Sequence, residues 1–266
     1  MKGKRTMNAV LAVTAVLIFL PVIVILIWSV TARWPWPELL PESYTLRTME
    51  ELLFGSHKLA EILISSIVLA TIVAILGTVI GMMTARATEI YRVRGRRAVG
   101  IAALLPLIVP GTVFAMGIQV SLIRMHLNDT IAGVVLVHLV AALPYCVTIM
   151  MDVTAAVGNS LEEQAAVLGA APLRSFADAS LPQLMPGILS SASMAYIISY
   201  SQYFTTLLAG GGRIKTLALV LVPYIQSGDR ALASIYSVIF VGSALTVFFL
   251  LEAAIHRIMK TDSRKY

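Results

Sequence analysis

Six stretches of this chain contain no Asp, Glu, Lys or Arg: residues 6–32, 62–85, 98–123, 130–151, 179–212 and 231–251. Together they hold 154 of the 266 residues. A helix needs roughly 20 apolar residues to cross the hydrocarbon core of a bilayer, and every stretch supplies that length. Lipid offers no partners for peptide groups, so such segments must satisfy their own backbone as helices. Charged residues make up only 13% of the chain, too few to solvate a soluble domain of this size. A soluble enzyme, a disordered chain and a nucleic-acid-binding protein are excluded, despite the net charge of +6. The pattern predicts an all-α polytopic integral membrane protein with six transmembrane helices.

Sorting the charge by side sets the orientation. With a cytoplasmic N-terminus, segments 1–5, 86–97, 152–178 and 252–266 lie inside and carry 13 Lys/Arg against 7 Asp/Glu. The outside segments 33–61, 124–129 and 213–230 carry 7 of each. Basic residues in short loops are retained in the cytoplasm, so both termini are expected there. Arg92, Arg94, Arg96 and Arg97 form the densest cluster and read as a topology determinant beside anionic lipid. Lys2, Lys4 and Arg5 open the chain like a secretory signal. The apolar run that follows is far longer than the ~7–15 residues of a signal core, which predicts a retained first span. Trp34 and Trp36 then suit the outer interface, and Pro35, Pro37 and Pro41 predict a non-helical outside segment. The single cysteine, Cys146, excludes a disulfide framework.

The spans are expected at about 8–30, 60–85, 98–123, 130–150, 186–209 and 231–256. Residues 1–57 are expected to form a first helix with its outside loop, and residues 58–266 the core transmembrane domain, with a loop at about 152–185. Gly77 and Gly81 in the second span give the spacing that lets helices approach closely. Pro106 and Pro110 predict a bend in the third span, structural in the first instance and a pathway hinge in the second. His138 in the fourth span reads as a neutral histidine facing a neighbouring helix, since a proton relay wants carboxylates nearby. Gly210, Gly211 and Gly212 predict a flexible outside turn, and the short apolar segment 216–225 a partial dip into the membrane.

Residues 152–185, between the fourth and fifth helices, are not written like a random loop. Ser160-Leu-Glu-Glu163 matches a capping box. Leu161, Ala165 and Leu168 give one apolar stripe at i, i+4 and i+7. Gly169 stands where that helix should stop, and Pro172 can open a second one. Phe176 and Leu181 continue the apolar side before Pro182. An amphipathic helix on the lipid surface is the competing reading, but Arg174 is outnumbered there by Asp152, Glu162, Glu163 and Asp178. Anionic lipid would repel that balance. A docking element for another protein fits better.

The run Glu163-Gln-Ala-Ala-Val-Leu-Gly169, with Leu181-Pro182 twelve positions further on, resembles the signature loop of binding-protein-dependent ATP-binding-cassette importer permeases. Gln164 departs from the usual alanine; as a good helix former it leaves the helix intact. The resemblance implies that this cytoplasmic loop is a coupling helix seated in an ATPase subunit, with Glu163, Ala165, Ala166, Leu168, Gly169, Leu181 and Pro182 as its coupling residues. It also implies a second permease subunit, homologous or identical, two cytoplasmic ATPase subunits and an extracytoplasmic solute-binding protein. The chain carries no phosphate-binding Gly-x4-Gly-Lys-Ser/Thr run, so it is expected not to be an enzyme. No cofactor is expected in this chain; ATP and Mg belong to the partner ATPases, and no metal or catalytic residue is expected here.

Within that family the chain looks most like permeases for polyamines, thiamine and organophosphonates, an impression carried in part by Tyr200-Ser-Gln-Tyr203 and the run 207–212. Tyr196, Ser199, Tyr200, Gln202 and Tyr203 on the fifth span, with Ser193 and Thr206, are candidate solute-pathway residues because lipid cannot pair their polar groups. Hydrogen bonding between helices explains the same residues almost equally well. The alternative function is an ion-coupled secondary transporter or channel subunit, which usually places ionisable residues within its spans. An intramembrane enzyme would need more than Cys146 and His138.

Overall fold

The computed structural model describes residues 2–35, 38, 40–54 and 58–262, and Trp36, Pro37, Arg264 and Lys265 lie outside them. Apart from one short two-stranded ribbon, the described elements are helical. The apolar N-terminal run forms α1, Lys2–Ser29. Strands β1 (Thr31–Arg33) and β2 (Ser43–Tyr44) then pair antiparallel, followed by α2, Arg47–Phe54. The non-helical segment expected after the first span is therefore a small ribbon followed by one short helix. Two long helices follow the expected spans closely: α3 (Lys58–Ala85) and, after the broken third span, α6 (Ile131–Val157). α3 runs on through a π-helical turn, Arg86–Ile90, taking the first residues of the expected cytoplasmic loop into the helix.

The third span is not one helix. α4 (Arg96–Ile108) and α5 (Gly111–Arg124) meet at a bend of 99°. Val109 is extended and Pro110 opens α5, its missing N–H lost where a helix start needs none. α6 starts on a proper cap: Thr130 Oγ1 accepts the N–H of Gly133 at 3.1 Å. After α6 come α7 (Ser160–Val167), α8 (Pro172–Ser175) and a second π-helical turn, Phe176–Ser180. The fifth span begins earlier than expected: α9 runs Leu181–Tyr200, with Pro182 in its first turn and Pro186 inside it. It also stops earlier, because Ser201–Tyr203 break the helix before α10, Phe204–Gly210. Gly211 and Gly212 take left-handed backbone, as their expected turn requires. α11 (Leu217–Ser227) is the short apolar helix, and α12 (Arg230–Asp262) closes the chain.

Among the described residues, four helices are long and apolar enough to cross a membrane, or five if the bent α4–α5 pair is one span. The chain is an all-α, multi-pass membrane protein.

It divides into two compact units. One comprises residues 1–62 and 220–243. In it Trp28 stacks on Trp34 at 4.7 Å, Arg230 lies over the Trp28 ring at 5.3 Å, and Tyr224 stacks on Tyr236. The other comprises residues 63–219 and 244–266, and its core is the packing of α6 against α9. Val134, Val137, Ala142, Met150, Leu184 and Ala195 are all buried there. α3 joins this core through its glycines: a Cβ on Gly77 would meet Cys146 Sγ at 3.0 Å, and one on Gly81 the Cys146 carbonyl at 2.8 Å. Thr78 and Ser191 hydroxyls meet at 3.2 Å in the same layer. The glycine pair is a packing device, as its spacing suggested.

Candidate functional site

The loop after α6 is built from ordinary local rules. Gly158 leaves α6 with φ +70°, and α7 begins at Ser160. Ser160 is not the cap that the sequence suggested. The N–H of Glu163 bonds the carbonyl of Asn159 at 3.1 Å, so the helix starts one residue sooner and Ser160 is its first residue. The Glu163 carboxylate instead accepts Asn159 Nδ2 at 3.0 Å. The far end stops where expected. Gly169 has φ +87°, its N–H bonds the Ala166 carbonyl at 2.9 Å, and the Ala170 N–H bonds the Ala165 carbonyl at 3.0 Å. That pair of bonds is a Schellman motif, which needs a left-handed residue at this position. Pro172 opens α8, again as expected.

α7 has no buried residue at all. Glu163, Ala166, Leu168 and Gly169 are exposed, whereas Ala165, Leu181 and Pro182 are half-buried. Around the Gly169 turn, Val167 is 88% exposed, Leu168 87% and Leu173 80%. The intended apolar stripe is thus open along one side, and a shallow groove runs along Ser160, Glu163, Gln164, Val167 and Leu168. Three large apolar side chains bared together on a short loop mark a contact surface rather than a lone exposed residue.

The opposite side of α7 is pinned by a pair that sequence reasoning missed. Arg86, in the π-helical turn after α3, donates from both terminal nitrogens to the Glu162 carboxylate, at 2.7 and 2.8 Å. Both side chains are about 15% exposed, and the guanidinium lies 4.4 Å from the centroid of Phe176. The Arg86 hydrogen bonds hold the Glu162 carboxyl below the usual carboxylate range against the opposing effect of its burial. The only sequence signal was that Arg86 is the first ionisable residue after 24 uncharged ones. Its partner, 76 positions away, carried none.

The candidate pathway residues on α9 lie mostly inside this subunit. Tyr196 and Tyr200 are 2% exposed and stack on each other at 5.4 Å. Ser199 is buried and meets His138 Nδ1 at 2.9 Å, while His138 Nε2 meets Thr206 Oγ1 at 2.9 Å. Thr206 spends its own proton on the Gln202 carbonyl, 2.7 Å away. Its oxygen must therefore accept from His138, which assigns the imidazole proton to Nε2 and makes Ser199 the donor to Nδ1. His138 is thus a fully used strut from α6 to both sides of the α9–α10 break. Gln202 and Tyr203 sit in that break, half-buried, with Gln202 Oε1 accepting from Thr205 at 2.7 Å. Tyr196 Oη and Ser193 Oγ are buried with no hydrogen-bond partner among the described residues.

No family model matches the chain. It is, however, similar to known proteins over most of its length. A putative ABC transporter permease of Streptomyces antibioticus is 28% identical over 70% of this chain and 81% of that protein. A putative 2-aminoethylphosphonate transport system permease of Salmonella typhi is 24% identical over 97% of both chains. A molybdate/tungstate transport system permease of Pyrococcus abyssi is 29% identical over 72% of this chain and 77% of its own length. All three are transport permeases rather than enzymes. This multi-pass helical chain is thus similar, over most of its length, to permease subunits of ATP-binding-cassette transport systems.

Proposed function

We propose that this chain forms half of a solute pathway across a bacterial inner membrane and that α7 carries the movement of a separate ATPase subunit into it. The observation that supports this reading is the bared apolar set Val167, Leu168 and Leu173 at and just beyond the end of α7, a helix with no buried residue. Such a helix gains its packing from a partner. In this assembly two permease subunits, two ATPases and a solute-binding protein act together, and the α4–α5 pair completes a span that brings the count to six with α9–α10. Both termini face the cytoplasm. The solute is a small organophosphonate, a reading supported by the full-length likeness to the 2-aminoethylphosphonate permease. Secondary transport is not favoured: His138, which lies in α6 well ahead of its Asp152, is occupied by two hydroxyls.

The decisive experiment is co-purification of the tagged chain with the ATPase and binding protein encoded beside it, followed by uptake in proteoliposomes. Uptake of 2-aminoethylphosphonate that requires all three, plus ATP, is expected. Uptake that persists without any ATPase overturns the reading. Cysteines placed at Gly95 and Ala171 in a Cys146→Ala background should label only after permeabilisation, and at Arg213 without it.

A further inference from the structure

Resting on that reading, we infer that Arg86 is the positioning residue through which α7 moves α3. α7 has no fully buried residue; Leu161, Glu162 and Ala165 are half-buried, and it packs on α8 and on the Phe176–Ser180 turn that leads into α9. Among the described residues, the ion pair that ties it to a spanning helix is Glu162 with Arg86. The pair is bidentate, so it fixes rotation as well as distance, which a single contact does not. It is largely sheltered from water, where screening is weak. Phe176, below the guanidinium at 4.4 Å, opens the second π-helical turn, so both chain segments that flank the pair are locally wide-wound. Such turns are recurrent at functional positions, because a helix can shift register there without unwinding. Beyond Arg86, α3 is in rigid contact with α6 through Gly81 and Gly77 at Cys146. A displacement of α7 therefore passes through one guanidinium into the α3–α6 pair, and from there to the His138 strut.

The test uses the complete transporter in proteoliposomes, with Arg86→Lys, Arg86→Gln and Glu162→Gln. Each sample gives basal ATP hydrolysis, solute moved per ATP hydrolysed, and the thermal midpoint. Lysine keeps the charge and reach but loses the fork and the planar face over Phe176. For Arg86→Lys we expect basal hydrolysis near wild type and solute per ATP down by about fivefold or more, the scale of a typical coupling between sites. Arg86→Gln and Glu162→Gln should fall at least as far, and the double variant no further than either alone. A merely structural pair would lower the midpoint and leave solute per ATP unchanged in whatever assembles; that result overturns the proposal. If a glutamine variant fails to insert, the lysine variant decides alone. Absence of any ATP-dependent uptake by the wild-type complex would instead strike the functional reading on which the inference stands.

Discussion

A Cβ on Gly81 would stand 2.8 Å from both the carbonyl carbon and the carbonyl oxygen of Cys146. Backbone cannot rotate aside, so α3 and α6 would have to separate. A Cβ on Gly77, one turn earlier, would crowd the Cys146 thiol at 3.0 Å, which a rotamer change can relieve, and would meet Leu139 and Ala195 only at ordinary contact distance. Gly81→Ala should therefore cost about 1–3 kcal/mol, the usual range for overpacking, and Gly77→Ala clearly less. Thermal unfolding of the two variants in detergent checks the order. Equal losses would show that the helices are not in this contact.

That glycine pair was visible in the sequence as spacing, and so were the long helices, because a membrane span is set by hydropathy alone. What escaped was everything decided by partners. Pro110 was visible as a bend, but a 99° turn depends on what packs beside α4 and α5. Ser201–Tyr203 break the fifth span with no glycine or proline to announce it; the break is held by Thr205, Thr206 and His138 instead. The start of α7 shifted by one residue because the Asn159 carbonyl already takes the Glu163 N–H, with the Asn159 amide on the Glu163 carboxylate. At the loop, Gly169 was legible because only backbone geometry fixes it. Arg86 was not, since its importance rests on a carboxylate 76 residues away.

The His138 strut separates packing from pathway for the α9 residues. Ser199→Ala removes one hydroxyl bond to the imidazole, worth about 0.6 kcal/mol on the membrane-protein average. His138→Ala removes two and opens a cavity, so it should cost more than twice as much. The double variant should cost less than the sum, because the two share a bond. Unfolding midpoints test the stability order, and uptake tests the role. Normal uptake in Ser199→Ala would assign that hydroxyl to the strut; altered uptake at unchanged stability would place it on the pathway.

The Arg86–Glu162 pair makes stability depend on acid. The Glu162 carboxyl is held below its unfolded value of ~4.3 by the guanidinium. Its contribution is therefore complete above that unfolded value and is lost as pH falls through the lower, folded value. Wild-type unfolding midpoints should drop as the buffer is taken below roughly pH 4. Glu162→Gln should start lower at neutral pH and lose less on acidification. Parallel curves for the two proteins would show that Glu162 is not the group responsible.

Gly169 offers the cleanest distinction between folding the loop and docking it. Its φ of +87° belongs to the left-handed region, where a residue with a Cβ costs about 1 kcal/mol. A Cβ there would meet nothing within 4 Å, so a side chain leaves the backbone into open space within this chain. Gly169→Leu should thus insert in the membrane and lose little stability. A partner seated on the bared Val167–Leu173 turn would meet the new side chain directly. Solute-stimulated ATP hydrolysis should be abolished in the reconstituted transporter, with Gly169→Ala in between. Glu163→Gln makes the complementary case: glutamine still accepts from Asn159 Nδ2, so the helix start survives, while the exposed charge is gone. It should reduce stimulation more than it reduces the unfolding midpoint. Normal stimulation in both variants would mean that the loop docks elsewhere or not at all.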